Sequence, residues 1–442
     1  MTDIGFASRR LHIFLLSLCL LLVSSGVMAA TWYVDPASSG GDGTSSAPWP
    51  GLQSAFNSGK VAAGDVIHLE QGNYGQVSIQ GQRFSKPVRL VSDPQYPAHF
   101  SALNIQRSGN ISIDGVAVWT LPGEEPVRQI VEINSENIVL SRFDIRGSGP
   151  DTNYFSWSKQ RWLDASSGIR ARGRGIVLRE NRVTGTGFGI GTIDAGAKVL
   201  GNVIRGFAGD GIRAIGDKTL VQGNYIADTV KVNDNHNDGI QSWSRGPNGR
   251  SGAGTVKGLV IDANTIVEWN GPQNHPLRFA LQGIGLFDGM FEDLVISNNV
   301  IIISAWHGIA VYGGINAKIQ NNTLISSSGP SREKPWIAVR DHRNGTQSSG
   351  GVVANNIAPR YQIGAGPGKR NNHVLIYPHS EMVFGADGSV RLKFGSKLIG
   401  LADAANAPDH DRVGAPRGRP CSAPPRSTPD RLSSPPPERR RD

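Results

Sequence analysis

The chain has 442 residues, 56 of them glycine, and a formal net charge of +9. Abundant Gly, Asn and β-branched residues, without a sustained heptad or 3.6-residue pattern, exclude a helical bundle and indicate an all-β chain with many turns. The two cysteines, Cys19 and Cys421, cannot provide a disulfide framework, so the fold must be held by packing. The modest positive charge favours an anionic partner without naming one.

The N-terminus has the pattern of a secretory signal peptide. Arg9 and Arg10 precede an apolar stretch over residues 11–23, and small residues end the segment at Ala29-Ala30. The apolar stretch is too short to span a bilayer comfortably. We therefore expect residues 1–30 to be removed, leaving a secreted or periplasmic protein with no membrane span after cleavage.

The segment that follows the signal peptide resembles the opening of a solenoid. Residues 31–36 and 64–69 alternate like short strands, and Leu52 to Phe56 between them read as a short helix. An open solenoid end would be an aggregation edge. We expect this N-terminal helix to cap the core.

Two short units then alternate along the chain. The first is an apolar unit with Gly-Ile or, once, Trp-Ile, at Ile169, Ile190, Ile212, Ile240, Ile284, Ile309 and Ile337. The second is Asn followed closely by a β-branched residue or Leu, at Asn181, Asn202, Asn224, Asn264, Asn299, Asn322 and Asn356. A repeat of about 22 residues cannot bury its apolar face alone, so the copies must stack.

Stacking makes specific predictions about each unit. Equivalent strands lie about 4.8 Å apart in parallel sheets, with the Ile side chains inside. The asparagines are expected to form a ladder in which their side-chain amides satisfy one another and the turn backbone. The Gly before each Ile is interpreted as a corner residue with positive φ.

This pattern, over roughly residues 31–400, resembles the pectate-lyase-like superfamily of right-handed parallel β-helices, which includes polysaccharide lyases, polygalacturonases and uronan epimerases. The β-helix domain is expected over residues 31–408. The resemblance implies an all-β, right-handed, single-stranded parallel β-helix. It is specific for fold and weak for activity, because one scaffold supports several chemistries.

Alignment of the coils on the Ile positions predicts which side chains face outward, because strand side chains alternate. The outward positions give a candidate substrate-binding face of Arg170, Arg172, Gln241, Trp243, Phe287, Tyr312 and Arg340. The three aromatic rings among these would lie on successive coils, as a strip on which sugar rings could stack. The alternative is that long loops fold over the sheet and bury them.

The longest inserted loop, residues 147–167, is rich in rings and cations. Tyr154, Trp157, Arg161 and Trp162 suit an acidic glycan. The same residues would equally suit a lid that only packs against the solenoid.

The densest polar cluster lies at the corners of the Ile212 and Ile240 coils. Asp210 and Asp238 occupy equivalent corners, so one carboxyl should have a raised pKa unless a cation lies between them. The candidate catalytic residues are His236, Asp238, Arg213, Asp210 and His307, and the two aspartates are candidate Ca²⁺ ligands. The alternative is that the aspartates only cap turns.

Three functions remain open at this point. A lyase or epimerase for uronic-acid chains would use His236 as the base and Arg213 to hold the uronate carboxylate. A polygalacturonase-like hydrolase would use Asp210 and Asp238 as the acid and base pair, since the Asp-Gly-Ile strings and His307-Gly308 resemble elements of that family. A non-catalytic glycan-binding or adhesion solenoid would need only the aromatic strip.

The expected partner is therefore an acidic polysaccharide, with no cofactor assigned beyond the Ca²⁺ alternative. Nucleic-acid binding is not expected, because the arginines are spread over many coils. Residues 409–442 form a Pro/Arg-rich tail with little apolar content, which we expect to be disordered. A monomer is expected.

Overall fold

The computed structural model describes residues 29–385 and 389–417. Nearly all of the predicted signal peptide, and the tail from residue 418 onward, lie outside the described residues. Most coils of the described chain contribute three short strands, and equivalent strands of successive coils pair in parallel. This stacking confirms the predicted all-β parallel β-helix, in which crossovers between parallel strands of one sheet are right-handed.

The coils have three faces, which we call the Ile face, the middle face and the Asn face. In the early coils, the long strands Ala102–Asp114 and Gln129–Ser141 bend from the Ile face into the middle face, whereas Arg83–Ser92 follows Gln76–Gln80 and pairs on the middle face. The other strands of the Ile face are Gln76–Gln80, Ser167–Arg172, Ile190–Thr192, Ile212–Ala214, Asp238–Trp243, Gln282–Asp288, His307–Tyr312, Trp336–Arg340 and Arg360–Ile363. Those of the middle face are Thr31–Val34, Val66–Leu69, Val177–Arg179, Lys198–Leu200, Leu220–Gln222, Val260–Asp262, Val295–Ser297, Lys318–Gln320, Val352–Ala354 and Gly368–Arg370.

The Asn face and the remaining elements complete the structure. The Asn face comprises Gly72–Asn73, Ala98–Phe100, Ala117–Val118, Asp144–Arg146, Arg182–Thr186, Val203–Phe207, Tyr225–Thr229, Thr265–Val267, Val300–Ile303, Thr323–Ser326, Ile357–Ala358 and His373–Val374. A small parallel sheet contains Thr255–Lys257, Met290–Glu292 and Gly314–Ile315, and an antiparallel pair contains Met382–Phe384 and Val390–Leu392. The helices are Leu52–Asn57, Lys159–Asp164 and Pro378–Glu381, with 3₁₀ turns at Tyr154–Ser156 and Ala404–Asn406.

The interior is a continuous column of aliphatic side chains. The repeat isoleucines pair in register from coil to coil, as in Ile190 with Ile212 and Ile212 with Ile240. All seven are buried. The predicted inward orientation of the Ile units is therefore confirmed.

Glycine is required before the repeat isoleucines for a different reason from the one predicted. None of these glycines has a positive φ. A Cβ on Gly239 would lie 2.6 Å from Ile266 Cγ2 and 2.9 Å from the carbonyl oxygen of Gly283 on the next coil. The interpretation as a positive-φ corner is wrong: this position excludes side chains because neighbouring coils approach too closely.

The asparagine ladder is present and runs one step further than predicted. From Asn181 to Asn356, each side-chain amide Nδ2 donates to Oδ1 of the next ladder asparagine at 2.8–3.0 Å, and Asn372 ends the series. The backbone N–H of each member donates to the same Oδ1, as in Asn224 N to Asn264 Oδ1 at 3.0 Å. The ladder thus satisfies buried polar groups on every coil that it crosses.

Replacement of Asn264 by alanine is expected to lower the free energy of unfolding by about 3–5 kcal/mol, because the backbone N–H and amide of Asn224 and the carbonyl of Val221 lose their partner inside the core. Chemical denaturation measures the loss. Asn372→Ala, at the half-buried end of the ladder, is the matched control and should cost about 1 kcal/mol. Equal losses at both positions would contradict the ladder as a cooperative unit.

The Leu52–Asn57 helix forms at the predicted place. Its Leu52 and Ala55 are buried in the main core. Its role as a cap stays a prediction.

The inserted loop over residues 147–167 packs against the solenoid. Tyr154, Trp157 and Trp162 are buried in a separate apolar cluster with Val230 and Trp269. Of the two alternatives for this loop, the structure therefore matches the lid that only packs.

The C-terminal segment over residues 401–417, which we call the strap, runs back along the solenoid. Side chains on successive coils bind it: Asn371 donates to Leu401 O, Gln320 and Asn355 both donate to Asn406 O, Asn298 accepts from Arg417, and Asp262 pairs with His410. Residues 409–417, assigned to the disordered tail from the sequence, are thus bound to the β-helix, because polar turn residues supply the contacts that apolar content does not. No helix within the described ranges is long and apolar enough to cross a membrane.

Candidate functional site

A cleft opens on the Ile face where the polar corner residues were expected. Its walls are His236, Gln241, Ser242, Trp243, Gln282, Phe287, Asp288, His307 and Arg343. Five of these side chains were predicted from the sequence as site residues: His236, Gln241, Trp243, Phe287 and His307. The coils of Ile240, Ile284 and Ile309 therefore bring five of the twelve predicted site residues together in one cleft.

His236 and Asp238 form a hydrogen-bonded pair at the edge of this cleft. His236 Nδ1 lies 3.1 Å from Asp238 Oδ2, and the two side chains are 62% and 0% exposed, respectively. The hydrogen bond to Asp238 raises the pKa of the His236 imidazole. Burial, with the nearby Asp210 carboxylate, raises the pKa of Asp238 to about 6. The pair thus has an accessible imidazole and an inaccessible carboxylate.

Asp238 carries a further feature that a turn cap does not need. Its Oδ2 also accepts from Gln241 Nε2 at 3.1 Å, whereas its Oδ1 is buried with no hydrogen-bond partner among the described residues. Oε1 of Gln282, the register partner of Asp238 on the next coil, is likewise buried and unpaired. Unsatisfied buried acceptors are costly, and they concentrate at functional sites.

Asp210 occupies the equivalent corner of the preceding coil. Its Oδ1 accepts the backbone N–H of Asp238 at 3.0 Å, and its Oδ2 accepts Arg213 Nε at 2.6 Å. The Arg213 guanidinium also lies 3.8 Å from the ring centre of Phe188 and 5.5 Å from that of Trp243. Within residues 29–385 and 389–417, the terminal Nη atoms of Arg213 have no hydrogen-bond partner, so they can bind an anion.

His307 lies on the opposite side of the cleft, among aromatic rings. Its ring centre is 5.0 Å from that of Phe287 and 6.1 Å from that of Tyr312. Burial, followed by the charges of Arg340 and His236, lowers the pKa of His307. Trp336 Nε1 donates to His307 Nδ1 at 3.4 Å, which favours the tautomer with the proton on Nε2.

The predicted aromatic strip is an edge-to-face cluster and not a row of parallel rings. Phe287 and Tyr312 meet at 5.3 Å with an interplanar angle of 77°. Trp243 faces the same cleft but contacts Arg213. Arg340 lies over Tyr312 at 5.8 Å and is exposed. Substrate contact by these residues stays a prediction.

Two of the predicted binding residues lie outside this arrangement. Arg170 pairs with Glu132, and Arg172 is exposed on the same strand. Their strand is two coils before that of Ile212 on the Ile face. Neither residue lines the cleft.

Four residues of the cleft were missed from the sequence: Ser242, Gln282, Asp288 and Arg343. Gln282 could have been found, because it occupies the same corner position as Asp238 and His307. Arg343 enters from the loop after Trp336–Arg340 and pairs with Asp288 at 2.8 Å. Loop residues follow no coil periodicity, so no pattern points to Arg343.

The residues present fit a calcium ion poorly. Calcium takes six to eight oxygen ligands, whereas both oxygens of Asp210 are already bonded to Arg213 and the Asp238 backbone. Among the described residues, no group of three or more His, Cys, Asp or Glu side chains could hold a metal ion.

Comparison with known proteins gives structural similarity at low identity. No family model matches the chain, and no curated protein matches it in sequence. A GH136 lacto-N-biosidase from Eubacterium ramulus is 13% identical, with a TM-score of 0.42 over 78% of this chain and 68% of that chain. A PL6 alginate lyase in complex with a trisaccharide is 14% identical (TM-score 0.41; 87% and 95% covered), and the pectate lyase Pel9A is 14% identical (0.35; 90% and 97%). The fold assignment rests on the strand pairing of this chain itself.

Proposed function

We propose that this protein is an exported polysaccharide lyase that cleaves uronic-acid chains by β-elimination, with His236 as the base. One observation carries the proposal: an exposed imidazole is held by a fully buried carboxylate at the edge of a ring-lined cleft. A buried carboxylate that accepts from Nδ1–H leaves Nε2 as a free proton acceptor. This is the state that abstraction of the C5 proton of a uronate requires.

The second histidine can stabilise the leaving group by a hydrogen bond. Because Trp336 donates to His307 Nδ1, the His307 Nε2 carries the hydrogen, and its lowered pKa keeps the ring neutral. His236 would take the C5 proton while His307 Nε2–H donates a hydrogen bond to the departing O4 oxygen. Water protonates this oxygen, and the His236 imidazolium then releases its proton to the hydroxide that is left. The electron pair of the broken C5–H bond forms the C4–C5 double bond as the C4–O4 bond breaks.

Two arginines are available for the uronate carboxylate. Arg213 is fixed by Asp210 and by Phe188, and its Nη atoms are open. Arg343 lines the cleft directly and is 72% exposed beside Asp288. Neutralising the carboxylate makes the C5 proton more acidic, and bidentate arginine contacts suit this task. Calcium is not needed in this scheme.

A hydrolase is the second candidate, and the raised pKa of Asp238 favours it. A carboxyl group with a pKa of about 6 has the property of a general acid. Against it, Asp238 is 0% and Asp210 2% exposed, and both are bonded to neighbouring side chains. Neither carboxyl group can reach a glycosidic oxygen without rearrangement. An epimerase would use the same base, and a purely glycan-binding solenoid would leave His236 without a role.

Incubation of the mature protein with alginate and with polygalacturonate, with and without a chelator, tests the proposal. Ultraviolet absorbance from unsaturated uronate ends, unaffected by the chelator, is the expected result. Reducing ends without this absorbance would indicate hydrolysis. A change in uronate configuration alone would indicate epimerisation. Retention on the polymer without any product would indicate a binding protein.

Gly285→Ala is expected to lower the lyase rate by about 10²-fold, because the added Cβ would lie 2.4 Å from Asp238 Oδ1 and 2.6 Å from Phe287 Cε2 and displace both. The matched control is Gly191→Ala. Gly191 occupies the same register position three coils earlier, where the nearest atom is 3.8 Å away. Steady-state rates on the polymer measure the difference, and similar rates for the two variants would contradict the role assigned to the Asp238 carboxylate.

A further inference from the structure

Two tryptophans and two cations continue the cleft beyond His307. We call Trp306, Trp336, Lys334 and Arg360 the tryptophan patch. Trp306 is 42% exposed, and its ring centre lies 5.1 Å from that of the half-buried Trp336. An exposed tryptophan beside a second, half-buried one is an apolar feature of the kind that often marks a binding site.

Backbone and ring contacts hold the patch in line with the cleft. The Trp336 N–H donates to the carbonyl of Trp306 at 2.9 Å, which fixes the two residues on neighbouring coils. Successive ring centres lie 5.0 Å apart from Phe287 to His307 and 5.4 Å from His307 to Trp336. The rings therefore form one unbroken path from the cleft to Trp306.

The two cations of the tryptophan patch favour an anionic ligand. Lys334 Nζ lies 5.5 Å from the Trp306 ring centre, and the Arg360 guanidinium 5.9 Å from that of Trp336. Neither cation pairs with an acidic side chain anywhere in the described part of the chain. Aromatic faces pack against sugar rings, and unpaired cations bind carboxylates. A uronate residue offers both groups.

We propose that the tryptophan patch is a distal subsite for a uronate residue of the same polysaccharide chain that occupies the cleft. The proposal rests on the proposed function, because it assumes an acidic polymer along the Ile face. Trp336 lies on the third coil after that of Asp238, a distance of about 14 Å at the coil spacing. The subsite therefore adds affinity for long chains and none for fragments too short to reach it.

Binding is tested without turnover by placing each variant in the His236→Ala background and measuring its retardation in native gels that contain alginate or polygalacturonate. Trp306→Ala is expected to weaken retention by about tenfold or more. The double variant Lys334→Gln/Arg360→Gln keeps both rings and should weaken retention most at low ionic strength. Tyr96→Ala, an exposed ring on the N-terminal coils, is the control and should bind like its parent.

Unchanged retention of the Trp306 variant would overturn the subsite. Equal retention of the protein by a neutral glucan would overturn its selectivity for acidic chains. These outcomes are distinct from failure of the proposed function, which is a lack of unsaturated product from the wild-type protein. With a measured lyase activity, Trp306→Ala should raise KM for the polymer and leave the rate on a trisaccharide unchanged.

Discussion

His236→Ala is expected to lower the lyase rate by about 10²–10⁴-fold, the range for loss of a general base. The melting temperature should stay nearly the same, because the imidazole is 62% exposed and contributes little packing. Initial rates of ultraviolet-absorbing product measure the first effect, and thermal unfolding the second. Binding of polymer should persist, since the rings and arginines of the cleft are untouched.

The control for this variant is His379→Ala, an exposed histidine of the helix Pro378–Glu381. Its activity should equal that of the wild type. A His236→Ala protein that retained the full rate would exclude His236 as the base and leave the carboxyl-based hydrolase as the stronger reading of the cleft.

The pH profile follows from the same pair. His236 acts as a base only when its Nε2 is unprotonated, and its hydrogen bond to Asp238 raises its pKa. The rate should therefore rise with pH, with a midpoint above the ordinary histidine value of about 6.5. In Asp238→Asn, the amide no longer stabilises the imidazolium, so the midpoint should move to lower pH while the maximal rate falls.

Asp238→Asn is expected to produce a protein that is less active yet more stable. The pKa of Asp238 is about 6 in the folded chain, against 3.8 for the free group, so the folded state binds its proton more tightly than the unfolded state does. The protonated Asp238 carboxyl group therefore stabilises the folded state fully below about pH 4, and this stabilisation is lost as the pH rises to 6. Removal of the buried charge should thus raise the free energy of unfolding at pH 7 by about 1–3 kcal/mol.

Asp210→Asn is the matched control, since Asp210 occupies the same corner one coil earlier. Its two oxygens are satisfied by Arg213 and by the Asp238 backbone, and the charge-assisted bond to Arg213 would be weakened. This variant should lose stability. Denaturant titrations at pH 4.5 and pH 7 compare the two proteins. Loss of stability in both would indicate that Asp238 is a turn cap and not a strained functional group.

The fold was predictable because the same sequence pattern recurs in successive coils of the solenoid. Each Gly-Ile and Asn unit occurs several times, so the buried isoleucines and the Asn181–Asn356 ladder follow from periodicity alone. The equivalent corner positions of Asp210 and Asp238 followed for the same reason, whereas His236 stands in the loop before its strand. Equivalent corners stack, and the alignment on Ile shows which residues share them.

What the repeat does not encode was harder to predict. The glycine before each Ile was misread, because the clash that requires it comes from a neighbouring coil and not from its own φ angle. Arg343 was missed because it belongs to a loop whose path depends on its pairing with Asp288. The pairing of Arg170 with Glu132 was not predicted, because the alignment gives the direction of a side chain without its partner.

The strap changes how the C-terminal part of the solenoid can come apart. A stacked array can lose its end coils one at a time, because each coil contacts only its neighbours. Here Asn371, Asn355, Gln320, Asn298 and Asp262 hold one segment across five successive middle-face coils. Fraying of the last coil must first detach the strap from coils that are still folded. The C-terminal third should therefore open as a single cooperative unit, and the coils after the cleft stay in register with it.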